Sequence, residues 1–213
     1  MFSRSVQAAA RVALLLALAA GAAFAGTPEE DYKSGQGAYL SGDVIGALGA
    51  LRRAAGQGYA PAQALLGEIL DRAEFNEEAL AWYRKAAEQG NASGEYGLGT
   101  MYLAGEGTPP DRSQALFWFK RAAERDHREA IIALAQALMN PVAGEAIDDE
   151  AAQRWVRRAA ALDYLPAVEY LAGAYGAGTL GLAADEREAK LWRARAVELK
   201  KRQAGTPQKK RKS

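Results

Sequence analysis

The chain has no cysteine and a single histidine, His127, so its reactive side chains are few. Without a thiol there is no thiolate nucleophile, no thiolate metal site and no disulfide. One imidazole cannot build a multi-histidine zinc site. His127 stands in the turn Arg125-Asp-His-Arg128, where flanking arginines favour a solvated turn residue over an acid–base catalyst. The loop Gly105-Glu-Gly107 has the glycines of a phosphate cradle but not the Gly-Lys-Ser/Thr ending that completes one. Acidic pairs such as Asp148-Asp149 open helical segments, where carboxylates complement the positive end of the helix dipole. No catalytic residue, metal ligand or cofactor is expected from these side chains, and the chain reads as a non-enzyme.

Charge is a second source of chemistry. Of 27 basic residues, two lie before residue 26 and seven after Leu199, which leaves 18 against all 26 acidic residues in between. An acidic body thus ends in a basic tail, with Lys209-Lys-Arg-Lys212 following Ala204-Gly-Thr-Pro207. That tail has the composition of a solvated, disordered end, with an anionic surface as the alternative contact. Within the body, Arg52-Arg53, Arg84-Lys85, Lys120-Arg121 and Arg157-Arg158 recur as basic pairs. They suit helix C-termini and nearby carboxylates, or else a ladder of cations on an outer face.

The spacing of those pairs exposes what must position them. Trp82, Trp118, Trp155 and Trp192 stand 36, 37 and 37 residues apart. Each lies in a segment like Ala79-Leu-Ala-Trp-Tyr-Arg-Lys-Ala-Ala-Glu-Gln-Gly90, with a degenerate earlier copy at Ala47, Leu51, Ala54 and Ala55. A period in this range marks stacked helix pairs, whose units bury one another's apolar faces. Ala47, Ala79, Ala115, Ala152 and Ala189 each precede a second alanine by seven residues, two turns on one face. Between them stand the bulky knobs Leu51, Tyr83, Phe119 and Val156, a series broken by Arg193, so the last helix reads as a cap. Ten helices are expected, over 28–40, 43–56, 61–72, 76–89, 92–104, 111–125, 128–139, 148–162, 165–176 and 185–203. Asp43 reads as an N-cap, Pro61 as a first-turn residue and Gly90 as a left-handed residue beyond a helix end.

The clearest copy carries Leu98-Gly99-x-x-Tyr102, Gly105-Glu-Gly107, Asp111, Ala115, Trp118-Phe119 and Ala122-Ala123. Related first-helix signatures stand at Leu66-Gly67, Leu134-Ala135 and Leu171-Ala172. The pattern resembles the Sel1-like repeat, a longer relative of the tetratricopeptide repeat, over about residues 28 to 199. The copies depart from it at the short loop Ala73-Glu-Phe-Asn76 and at Pro141-Val-Ala-Gly144. The resemblance implies an all-α, right-handed α-solenoid of about five helix-turn-helix repeats, spanning 26–203.

Residues 1–25 read as a cleaved signal peptide. Arg4 and Arg11 give a positive start, Val12 to Ala20 an apolar run, and Ala23-Phe-Ala25 a small-x-small cleavage site. Nine uncharged residues, even extended to Ala25, are too short for the ~20 of a spanning helix. The mature chain is expected to begin at Gly26 in the bacterial periplasm, with residues 204–213 as its tail and no stable membrane anchor. Export argues against nucleic acid as the partner of the basic cluster.

In the geometry the resemblance implies, first helices line the concave side. Counting from the Leu-Gly positions, Tyr32, Gln36, Tyr39, Ala64, Glu68, Asp71, Tyr96, Thr100, Ile132, Gln136 and Glu169 face away from the stack. Tyrosines exposed among amides and carboxylates fit a protein-binding ridge, because tyrosine brings contact area and a hydroxyl at low entropy cost. Padding of the stack is the alternative role for any one of them. The resemblance implies a non-catalytic adaptor that holds a protein partner in this groove. A second role it implies is an immunity protein that neutralises a periplasm-delivered effector such as a phospholipase. A third, hydrolysis of cell-wall material or β-lactams, belongs to disulfide-rich relatives, and the missing cysteines and nucleophile–base pair argue against it.

Overall fold

The computed structural model describes residues 26–142 and 148–205. The export segment, Ala143-Gly144 of the fourth loop and the Lys209–Lys212 cluster lie outside the described residues. Ten α-helices, and no strand, are formed among those described. The chain divides into two compact units, one ending at His127 and one beginning at Arg128.

The first unit holds α1 (Pro28–Ser41), α2 (Val44–Gly56), α3 (Ala60–Arg72), α4 (Asn76–Glu88), α5 (Ala92–Ala104) and α6 (Arg112–Glu124). Local chemistry sets the boundaries. Thr27 and Glu30 form a reciprocal capping box at the start of α1, which ends at left-handed Gly42. The Asp43, Asn91 and Asp111 side chains accept from the amides three residues on, each at 2.9 Å. Pro61 lies in the first turn of α3, where a missing amide hydrogen costs nothing. The turns fold α1–α2, α3–α4 and α5–α6 into hairpins, while α2 packs on α3, α4 on α5, and the first helices α1, α3 and α5 lie in sequence beside one another.

The second unit holds α7 (Arg128–Met139), α8 (Asp149–Ala161), α9 (Leu165–Ala177) and α10 (Glu186–Gly205). Asp148 caps α8 by accepting from the Glu150 and Ala151 amides, the structural role expected of that acidic pair. Here α7 pairs with α8, α9 with α10, and α9 packs on both α7 and α8.

The alanine rows are the tightest seams of both units. Ala47, Ala79, Ala115, Ala152 and Ala189 are fully buried, as are Ala54, Ala86, Ala122 and Ala159. The knobs Leu51, Tyr83, Phe119 and Val156 are buried with them. In the first unit each knob presses on a glycine of a first helix. A methyl group on Gly35 would lie 2.7 Å from Leu51 Cγ, on Gly67 2.8 Å from Tyr83 Cδ1, and on Gly99 2.7 Å from Phe119 Cδ1. Those distances are shorter than any carbon–carbon contact tolerates, so glycine is required there.

The buried position four residues before each of those glycines is polar: Asp31, Gln63 and Glu95. Each is met by a second helix of its own repeat. Arg53 donates to Asp31 at 2.6 Å, and Gln89 donates to Gln63 at 2.7 Å. Arg121 and Arg125 hold the wholly buried Glu95 at 3.0 and 3.3 Å. Their nitrogens lie off the axis of a hydrogen bond to the Glu95 oxygens, so that attraction is coulombic. Members of each basic pair are therefore tied into the fold: Arg52 pairs with Glu78 at 3.0 Å, and Arg157 donates to Gln153 and Tyr175, while Arg84 and Lys120 are exposed. Lys85, Arg121 and Arg158, the second members of the last three pairs, and Arg195 repeat a further contact, a cation over the tryptophan three residues earlier. Lys85 lies 4.1 Å from the Trp82 ring, Arg121 4.9 Å from Trp118, Arg158 4.8 Å from Trp155 and Arg195 5.5 Å from Trp192.

Candidate protein-binding face

The residues assigned to the ridge divide between the units. Tyr32, Gln36, Tyr39, Ala64, Glu68, Asp71, Tyr96 and Thr100 belong to the first; Ile132, Gln136 and Glu169 belong to the second. In the second unit, Gln136 donates to the Tyr164 hydroxyl at 2.5 Å, Glu169 pairs with Lys200 at 2.6 Å, and Ile132 is half-buried.

In the first unit the tyrosines are not the exposed side chains that sequence reasoning expects. Tyr32 is half-buried, its ring 5.4 Å from Tyr59, and its hydroxyl accepts from Gln36 at 3.0 Å. Burial, then Tyr59, raises its hydroxyl above the ordinary value. Tyr39 is half-buried against the core of this unit. Tyr96 lies 5.7 Å from Phe119 and stacks on His127 at 4.9 Å, with 24° between the ring planes. His127 is therefore a stacking partner and half-buried, not the solvated turn residue expected of it. Ala64 is buried at 4 % exposure, so it belongs to the packing and not to the face. The physical reason is geometric: a helix face one step from a buried position is itself partly covered, and large rings at that step lean onto the stack.

Three of the assigned residues, Glu68, Asp71 and Tyr96, meet two that sequence reasoning did not assign. Tyr83 sits on α4, and its ring lies between Gly67 of α3 and Gly97 of α5, where an added methyl would be 2.5 Å from Cζ. The tip of the ring thus faces the first-helix layer, where Asp71, Glu68 and Tyr96 act on its hydroxyl. Burial first, then the Asp71 and Glu68 carboxylates, pushes that hydroxyl well above its usual value. Glu106 arrives from the loop after α5. That loop is pressed against the start of α4: a methyl on Gly107, at φ 68°, would lie 2.7 Å from the Asn76 carbonyl oxygen. The Glu106 carboxyl consequently stands close enough to Asp71 to act on its titration. Burial, then the neighbouring Glu106 carboxyl, push the Asp71 carboxyl up to about 6, Glu68 adding to the shift and Arg72 opposing it. Arg72 is itself held by Glu68 at 2.6 Å.

The Gly105-Glu-Gly107 loop is thus a delivery device for one carboxylate, and Tyr83 is the one knob that carries a polar tip. Their signals were present in the sequence: a tyrosine in a row of Leu, Phe and Val, and an acidic residue between two glycines. The arrangement has no nucleophile beside a base. It offers three carboxylates, one compensating guanidinium and hydroxyl groups, which suits recognition of positive charge. Among the described residues no group of three or more His, Cys, Asp or Glu is placed to hold a metal ion, and no helix is long and apolar enough to cross a membrane.

Helix pairs repeated along the chain, sealed by alanine and carrying polar first-helix faces, define a helical-repeat solenoid, a class that generally serves as a scaffold for protein–protein interaction. The chain belongs to the Sel1 repeat family, whose model matches residues 76–91, 92–127, 128–164 and 166–200. A solved structure of c5321, a protective antigen present in uropathogenic Escherichia coli strains and displaying an SLR fold, is 28% identical with a TM-score of 0.68, covering 81% of this chain and 38% of that one. A Sel1 repeat protein from Oxalobacter formigenes is 26% identical with a TM-score of 0.62, covering 89% of this chain and 76% of that one. Among curated proteins, the chitin synthase regulator SKT5 of Malassezia restricta is 43% identical over 53 residues. The match takes in 25% of this chain and spans only 4% of that regulator's length.

Proposed function

We propose that this chain is an exported, periplasmic adaptor that binds a protein partner on the first-helix face of its first unit. The observation that carries the reading is the cluster of Glu68, Asp71, Tyr96 and Glu106. Its carboxylates are crowded enough to raise one of them to about 6, a cost that the alanine-and-knob packing does not require. Half-buried tyrosines support it, because rings already fixed by packing lose little freedom on binding. The ordered positive, apolar and Ala-Phe-Ala segments of residues 1–25 support export.

A photo-crosslinking residue at Thr100 of α5, compared with one at exposed Lys120 of α6, tests the face in cells. A discrete adduct from Thr100 and none from Lys120 is expected; the reverse pattern removes the assignment. Sequencing the adduct separates an adaptor's target from a toxic effector. For export, the periplasmic protein should have Gly26 at its N-terminus by mass spectrometry, and an intact Met1 sinks that part of the reading.

A further inference from the structure

In the second unit, α10 turns Ala189, Ala196 and Leu199 into the stack and leaves its opposite edge exposed. Helical spacing puts Arg187, Lys190 and Lys201 in one row on that edge, with Leu191 and Glu198 on one side of the row and Val197 on the other. In earlier second helices the same edge is covered. The position three residues before the knob is buried leucine at Leu48 and Leu80, and the position four residues after it is buried alanine at Ala55, Ala87, Ala123 and Ala160. In α10 those positions hold Lys190 and Val197, both exposed. A repeat edge that meets water needs polar side chains, but it does not need them to be cations. Here they are cations, although the body of the chain is acidic overall. Arg187 even stands in the first turn of the helix, where the dipole opposes positive charge. Other cations of α10 have partners: Arg193 meets Glu186, Arg195 and Arg202 meet Asp163, and Lys200 meets Glu169. The side chains of Arg187, Lys190 and Lys201 form no ion pair or hydrogen bond among the described residues.

We propose that the outer edge of α10, together with the basic cluster that follows it in sequence, is a peripheral binding surface for an anionic lipid bilayer. Charge complementarity carries the choice of occupant. Three cations without partners share the edge with the single carboxylate of Glu198, and Lys209, Lys210, Arg211 and Lys212 begin four residues beyond the end of the helix. Cations held within a Debye length of an anionic surface are each attracted to it, and the attraction grows with their number. Shape and apolar surface favour a bilayer over a soluble acidic partner. The edge belongs to one 20-residue helix and offers no groove, so it meets a plane along its length. Leu191 and Val197, 58 % and 52 % exposed, flank the cationic row and enter the interfacial layer when the cations reach the headgroups. The long stems of Arg187, Lys190 and Lys201 let their charges stay at the phosphates while the apolar side chains sink deeper. Such contact is reversible and needs no spanning segment. It is independent of the first-unit face, and it places that face beside a membrane without occupying it.

The test sediments the mature full chain with vesicles of phosphatidylcholine and phosphatidylglycerol in equal parts, and with vesicles of phosphatidylcholine alone. Binding to the mixed vesicles, none to the neutral ones, and release as salt is raised are expected. Arg187→Gln/Lys190→Gln/Lys201→Gln should bind at least ~10-fold more weakly, with an unchanged melting temperature because none of the three side chains is paired. Leu191→Ser/Val197→Ser should weaken binding a few-fold and leave its salt dependence in place. Equal binding to neutral vesicles, no binding to the mixed ones, or a triple variant that binds as tightly as the unmodified chain overturns the proposal. Binding to soluble polyglutamate as tight as to the mixed vesicles, and unaffected by Leu191→Ser/Val197→Ser, overturns the lipid clause and assigns the edge to an acidic protein.

Discussion

Where the first unit buries Asp31, Gln63 and Glu95, the second buries Ile131 and Val168 at the same repeat position. Where the first seats Tyr83 and Phe119 in glycine slots, the second has Ala135, Ala172 and the smaller Val156. Both solutions close the seam between first and second helices, so the repeat does not dictate which is used. They differ in what they specify. An apolar contact tolerates rotation and sliding, whereas a buried carboxylate must meet its guanidinium or pay its whole desolvation penalty. The polar solution also needs arginines at set points on the second helices, which is what the recurring basic pairs supply.

The sharpest way to break the comparison is to leave the buried charge alone. Arg121→Leu/Arg125→Leu strands Glu95, which is 0 % exposed, and should cost about 3 to 5 kcal/mol by urea denaturation. Glu95→Leu, which copies the second unit's apolar choice and leaves two partly solvated arginines, should cost far less. Equal losses in the two variants would mean that the ion pair does not hold the seam.

Next in size is the glycine slot. Gly97→Ala drives a methyl into the Tyr83 ring and should destabilise by about 1 to 3 kcal/mol. Gly173→Ala in α9 of the second unit meets nothing within 4 Å and should stabilise by up to ~1 kcal/mol, as helix propensity favours alanine over glycine. Thermal melts that move in the same direction for both would refute the contrast in packing.

The smallest effect is the pH dependence of the first unit's acidic cluster. Asp71 has its folded value raised from 3.8 to about 6, so the folded chain holds more protons than the unfolded one between those values. Stability therefore falls as pH rises through that window, against the usual trend for a paired carboxylate. Asp71→Asn should relieve about 1 kcal/mol at neutral pH, discounted from the full shift because Asp71 remains partly solvated. The gain should vanish below pH 3.8, where the carboxyl is neutral in both states. A gain that is flat across pH would assign the effect to packing.

Tyr96 shows how far a linear pattern carries. Its place on the first-helix face follows from its spacing to Leu98-Gly99, but its stacking on His127 does not, since His127 arrives from the turn after α6. Tyr96→Ala is therefore expected to weaken partner capture and also to lower the melting temperature, a joint effect that the bare periodicity does not suggest. The helix ends fared differently. Asp43, Pro61 and Gly90 act as expected because capping is decided within a few residues of chain. The last helix runs to Gly205, two residues past its expected end, because nothing local to that segment breaks it.

What the chain determined by itself is the repeat: its period, its helix boundaries, its alanine seams and its family, all of them consequences of spacing and local propensity. Only the tertiary structure decided which polar residues meet. Asp31 finds Arg53 across 22 positions, and Glu106 finds Asp71 because the loop after one helix pair lands on the pair before it. The recurring basic pairs mark where cations stand but not which carboxylate each one meets, since the attraction depends on distance in space and not on separation along the chain.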